Sequence, residues 1–192
     1  MSKLKVVAVS ANTQRPSRTL ALVEEILVRL GAVLPIEVTL IELGQIGPKL
    51  AGTVTRSELP QDVQDDLNAI ETADFLLVAT PVYRASYTGL FKHLFVFVHH
   101  EALIDVPVLL AATGGSDRHA LIIDHQLRPL FSFFQALTLP VGVYASEADF
   151  TNYQVSSTEL SERISLAVNR ARPYLSHRDV KVADSANLTA TS

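Results

Sequence analysis

The run Phe75-Leu76-Leu77-Val78-Ala79 passes directly into Thr80-Pro81-Val82-Tyr83-Arg84-Ala85-Ser86-Tyr87-Thr88-Gly89, and this junction decides how the chain is read. A short apolar run bounded by turn chemistry is the pattern of a strand buried on both faces, as in a parallel sheet covered by helices. Ligands of open α/β sheets sit just beyond the carboxyl ends of such strands. Here that end carries Pro81, which stiffens the backbone, and Tyr83 and Tyr87, which offer ring faces with polar tips. Small hydroxyl residues and Gly89 complete a loop suited to a flat aromatic ligand. An ordinary strand-to-helix turn is the competing reading.

Outward from this junction the chain alternates. Strands are expected at 5–10, 37–43, 75–79, 106–112 and 141–145. Helices are expected at 17–30, 60–71, 86–100, 117–137 and 156–175. The first helix has an apolar face at Leu20, Val23, Leu27 and Leu30, with Gly31 as its stop. Residues 44–59, rich in Gly and Thr, read as a long loop, and Pro129 is expected to kink or break the 117–137 helix. Ser156 with Glu159 fits a capping box for the last helix. The alternation predicts a three-layer, doubly wound α/β fold of flavodoxin-like type, with a five-stranded parallel sheet in the order 2-1-3-4-5. One domain is expected over residues 1–176, followed by a polar, flexible tail at 177–192.

Composition narrows the function. The chain has 192 residues, 48% of them hydrophobic, and no cysteine, which excludes disulfides, thiolate catalysis and thiolate metal sites. A net charge of -4 without basic runs gives no sign of a nucleic-acid or membrane partner. The apolar stretch at 90–98 is interrupted by Lys92 and His93 and is too short to span a bilayer, and the N-terminus leads into a strand without a signal-peptide core. A soluble, cytoplasmic protein is expected.

In the 2-1-3-4-5 order the loops after strands one, three and four meet at one crevice. The first, Ser10-Ala11-Asn12-Thr13-Gln14-Arg15-Pro16-Ser17-Arg18-Thr19, runs into a helix N-terminus, where amides and the helix dipole favour a phosphate. Asn12, Ser17 and Thr19 supply hydrogen bonds and Arg18 or Arg15 supplies charge; the alternative is that Ser17 only caps the helix. The loop is neither a P-loop nor a dinucleotide fingerprint, since it holds no glycine. The fourth-strand loop, Thr113-Gly114-Gly115-Ser116, lets backbone approach the ligand closely, or is simply a tight turn. A phosphate cradle, an aromatic-bearing wall and a Gly-Gly edge together describe a site for flavin mononucleotide (FMN).

Ala79-Thr80-Pro81-Val82-Tyr83 with Ser86-Tyr87-Thr88-Gly89-Leu90-Phe91-Lys92 resembles the T-P-x-Y-x-x-x-x-x-G-x-x-K signature of NAD(P)H-dependent FMN reductases, and Ala112-Thr113-Gly114-Gly115 matches the same family. The similarity is strongest to the flavin reductases of two-component alkanesulfonate and methanesulfonate monooxygenase systems, and it covers roughly residues 4 to 175. The first loop departs from the family, with Ala11-Asn12-Thr13-Gln14 where relatives carry Gly-Ser-x-Arg. The resemblance implies hydride transfer from NADH or NADPH to FMN, with reduced FMN passed to a partner monooxygenase. It places Thr80, Pro81, Val82 and Tyr83 at the flavin ring, Thr113, Gly114 and Gly115 at its polar edge, and Asn12, Ser17, Arg18 and Thr19 at the phosphate. The cofactors carry the chemistry, so no side chain is expected to act as acid or base. Arg84 and Arg118 are candidates for reading a 2′-phosphate.

The segment 121–127 resembles the place where sulfonate reductases insert a residue and form a π-bulge, with His125 at the inserted position, near the flavin and a subunit interface. An ordinary surface or interface histidine is the alternative. His93, His99 and His100 are expected at interfaces or helix ends, with no metal bound. Excess apolar residues at Tyr87, Phe91, Leu94, Phe95, Val98, Phe131, Phe133 and Phe134 suggest a homo-oligomer, unless they all lie in the monomer core, and the resemblance implies a homodimer or homotetramer. The rival functions are a bound-FMN quinone or azo reductase and a non-catalytic flavodoxin-like electron carrier.

Overall fold

The computed structural model describes residues 3–176. The expected tail at 177–192 lies outside the described residues. The parallel sheet is built around β1 (Leu4–Ser10) and β3 (Phe75–Pro81), with β2 (Ile36–Glu42) outside β1 and β4 (Pro107–Gly114) beside β3. Alternation along β3 explains the three layers. Phe75, Leu77 and Ala79 point to one buried cluster, and Leu76 and Val78 to the other, so both faces must be covered.

Helix α1 (Arg18–Val33) and the C-terminal α6 (Thr158–Ser176) cover the first face through Leu22, Val23, Ile26, Leu30, Ile164 and Val168. On the second face lie α2 (Leu43–Leu50), α3 (Gln61–Glu71), α4 (Gly89–Phe97) and α5 (Arg128–Phe133). The aromatic residues of α4 and α5 pack there as a ring cluster: Phe91 on Phe95 at 4.9 Å between centroids, Phe95 edge-on to Phe131 at 5.0 Å. Phe91, Leu94, Phe95, Val98, Phe131 and Phe134 are therefore core residues of the monomer. Val96 and Phe133, 59% and 67% exposed, are what these segments leave on the surface.

Several expectations are corrected. Helix α1 runs through Gly31 and ends when the Leu34 N–H bonds Leu30 O at 3.0 Å. The loop expected over 44–59 begins as α2, in which Leu43, Ile46, Gly47 and Leu50 form a buried helical stripe. Gly44 suits this close approach, since a Cβ would stand a tight 3.1 Å from the Thr13 carbonyl; its hydrogen lets α2 press on the backbone of the first crevice loop. The fifth strand position is divided between β5 (Leu137–Thr138) and β6 (Val143–Ser146), both paired with β4 and separated by a stretch containing Pro140. A small hairpin, β7 (Phe150–Thr151) and β8 (Gln154–Val155), follows. Ser157, rather than Ser156, caps α6, its Oγ accepting the Leu160 N–H at 3.1 Å.

The expected 117–137 helix is three pieces: a 3-10 turn at Asp117–His119, a π-helical turn at Ile123–Leu127 and α5. The Arg128 N–H reaches back five residues to Ile123 O, the mark of the π geometry. Pro129 sits in the first turn of α5, at the join with the π-helical turn, so the expected break falls there.

Candidate active site

The loops after β1, β3 and β4 converge as expected and are bonded to one another. The Ala11 N–H donates to Ala79 O at 2.8 Å, the Val82 N–H donates to Thr113 O at 2.8 Å, and the Thr19 and Thr113 hydroxyls share a buried hydrogen bond of 2.6 Å. Between them lies a cleft of about 250 Å³. Asn12, Ser17, Arg18, Thr19, Pro81, Val82, Tyr83, Thr113, Gly114 and Gly115 all line it. Thr80 does not. It is fully buried behind the cleft, donating from Oγ1 to Pro81 O at 3.0 Å and accepting the Thr88 N–H at 3.4 Å, so it braces the loop.

At one end of the cleft α1 presents its N-terminus. Ser17 Oγ accepts the Leu20 N–H at 3.2 Å, which leaves its own proton to donate. Asn12 shapes the loop from within, accepting Ser10 Oγ–H at 2.6 Å and donating to Gln14 O at 3.2 Å. Arg15 faces away from the cleft, bonded to Glu42 through Nε at 2.9 Å and through Nη2. The hydrogen bond from Arg15 holds the Glu42 carboxyl below its ordinary value, against the burial that pushes it up. Its folded value lies below its unfolded one, so its stabilisation is complete above the unfolded value and is lost as pH falls through the folded one. Glu42→Gln is therefore expected to lose less stability on acidification than the native chain, read as thermal midpoints across the acid range. Equal acid slopes would show that the pair does not anchor the loop.

At the other end, Tyr83 and Ser86 close a two-residue turn with bonds of 2.9 and 3.2 Å. Arg84 and Ala85 at its tip have φ of 51° and 65°, left-handed for both and without a glycine. Such strain is common beside ligand sites. Ala85→Gly is expected to raise stability by about 0.5–1 kcal/mol in denaturant titrations, the left-handed cost of a Cβ less the entropy of glycine. A lower midpoint would mean that the Ala85 methyl has a packing role.

One residue that motif reading did not flag joins the cleft, and another braces its rim. Tyr153, at the tip of the β7–β8 hairpin with φ 60°, lines it, and the Arg18 guanidinium carbon lies 5.5 Å from the centre of its ring. Gln126, in the π-helical turn, accepts Ser86 Oγ–H at 3.2 Å and so holds the Tyr83–Ser86 turn. His125 itself is exposed and lies outside the cleft lining. Arg84 and Arg118 are exposed at the surface.

His93 is occupied by Leu50 O at 3.0 Å. His99, His100 and Glu101 bring one ligand atom each to within 4.8 Å of one another, an acidic neighbour that the sequence reading had not paired with the histidines. No helix among the described residues is long and apolar enough to cross a membrane. A larger groove of about 600 Å³, bordered by Val96, Phe97 and Phe133 together with Arg56, Lys92, His99 and His100, is mainly apolar and has no hydroxyl side chain in its lining.

The donor set of the smaller cleft suits FMN. Hydroxyls and a helix N-terminus stand at one end, the chemistry that a phosphate takes. A Cβ on Gly115 would meet no protein atom within 4 Å, so the backbone there is open to a flat ring.

Comparison with known proteins agrees with this geometry. Residues 4–151 match the family model described as NADPH-dependent FMN reductase. The chain is 62% identical over 170 residues to the NADH-dependent FMN reductase SfnF of Pseudomonas fluorescens, covering 88% of this chain and 91% of that protein. It is 59% identical over 177 residues to an FMN reductase (NADPH) of Pseudomonas aeruginosa, covering 92% and 95%. Among solved structures, an oxidoreductase from Corynebacterium diphtheriae superposes with a TM-score of 0.80 at 34% identity, over 92% of this chain and 99% of that one. The apo NADH:FMN oxidoreductase EmoB gives 0.77 at 28% identity, over 87% of both chains. With the match running along most of its length and the expected cleft in place, this chain belongs to the NADPH-dependent FMN reductase family.

Proposed function

We propose that the protein binds FMN as an exchangeable substrate, reduces it with NADH or NADPH, and releases it reduced to a separate monooxygenase that acts on a sulfonate. The observation that carries this reading is the make-up of the cleft: hydroxyls and backbone groups line it, with no tryptophan in the chain to clamp a ring. Ser17, Arg18 and the first amides of α1 would hold the phosphate, with Asn12 shaping the loop and Thr19 tying it to Thr113. Pro81, Val82 and Tyr83 would border the ring, and Gly114 and Gly115 its polar edge.

FMN, when bound, supplies the hydride-accepting ring. The protein's part is alignment and electrostatics. The loop, braced by Thr80 and tied to Thr113 O, would position a flat ring for stacking, and preset amides would favour negative charge at its polar edge. Val96 and Phe133, with the apolar groove beside them, are the surface we propose for a second copy of the chain. Dependence on reduced nicotinamide supports a cytoplasmic location for this activity.

The test is steady-state oxidation of NADH and NADPH by purified apoprotein, with FMN varied from none to excess. Saturable turnover that depends on added FMN is the expected result and gives the nicotinamide preference. A protein that keeps its flavin and turns over only with an added quinone or dye would overturn the exchangeable-substrate reading.

A further inference from the structure

Both arginines of the first crevice loop are already bound to carboxylates. The Arg15–Glu42 pair is built in: Glu42 is 6% exposed and also accepts Gln45 Nε2–H at 2.9 Å. The Arg18 pair is of another kind. Its Nη2 donates to Glu147 Oε1, and the two side chains are 39% and 59% exposed. Exposed pairs are weak and exchange readily.

Glu147 is nevertheless held where it can act. It opens the turn after β6, which is fixed by a capping box in which Asp149 Oδ2 accepts the Ser146 N–H at 2.7 Å and its Oγ–H at 2.9 Å. That box occupies Asp149 and leaves Glu147 pointing its charge at Arg18. The Tyr153 ring, on the hairpin that follows, keeps the guanidinium at the cleft rim.

We infer that Glu147 sets how loosely the flavin is held, by competing with the FMN phosphate for Arg18. This rests on the reading that the cleft takes that phosphate at the start of α1. An arriving phosphate must share or take the guanidinium, and a carboxylate then stands unpaired beside a dianion. The charge that Arg18 brings to the site is thereby discounted before any ligand arrives. Loose retention suits a reductase whose product has to leave, and Glu147 acts on it only through Arg18.

The experiment measures FMN and riboflavin dissociation constants on apoprotein by flavin fluorescence, for the native chain, E147Q, R18A and the double variant. E147Q is expected to bind FMN ~2- to 5-fold more tightly, the weight of one exposed charge interaction. Riboflavin, which has no phosphate, should bind both proteins equally. The gain should vanish on the R18A background and shrink in high salt. Unchanged or weaker FMN binding by E147Q would overturn the inference, since Glu147 would then be idle or a support for Arg18. Equal tightening for riboflavin would overturn it as well, by showing an effect away from the phosphate. FMN binding no tighter than riboflavin in the native chain would sink the phosphate reading itself, and the role of Glu147 with it.

Discussion

Gly114→Val is expected to lower kcat/KM for FMN by ~100-fold, the scale on which a misplacement of about 1 Å acts. A Cβ at Gly114 would stand 2.2 Å from Tyr144 Oη and 3.2 Å from Cζ. The Tyr144 ring cannot simply swing aside, because its hydroxyl donates to Ser116 O at 2.5 Å. The loop that carries Gly115 must move with it, and that loop is one wall of the cleft. Overpacking of this kind also costs about 1–3 kcal/mol of stability. Pairing the change with Tyr144→Ala removes the clash and should restore part of the FMN dependence. Normal kinetics in the single variant would mean that the Gly114–Gly115 backbone does not approach the flavin.

Phe131→Ala is expected to cost about 3–5 kcal/mol in urea titrations, as for other large aromatic deletions in cores. Phe131 is completely buried, edge-on to Phe95 at 5.0 Å and to Phe91 at 6.5 Å. It sits on α5 directly after the π-helical turn, so the void would open under the segment that carries Gln126. A loss below ~1 kcal/mol would show that the layer collapses around the missing ring.

How far the chain could be read without a structure depended on which force shaped each part. β1, β3 and β4 were legible because a strand covered on both faces must be largely apolar, and their order was the one expected of a flavodoxin-like domain of this length. The cleft was legible for the same reason: once the order is known, Asn12, Val82 and Gly115 have to meet. Helix α2 was hidden because Gly44, Gly47 and Pro48 are poor helix formers by local propensity, and close packing on neighbouring backbone overrides that preference. Tyr153 was hidden because its turn, Asn152-Tyr153, adopts left-handed geometry without the glycine that announces such turns. Thr80 fitted the motif, yet the same hydroxyl serves as well behind a loop as in front of it; only burial separates the two.

The interrupted fifth strand bears on how the molecule meets others in a crowded solution. An edge strand offers a row of unpaired backbone donors and acceptors to any passing chain. At the β5–β6 margin that row is cut in two, with a proline between the pieces, so no long template is available for strand-to-strand joining. The opposite margin, β2, is continuous over Ile36–Glu42 and exposes Val38 and Leu40. Among the described residues the continuous edge at Ile36–Glu42 is therefore where misassembly on partial unfolding is expected to start.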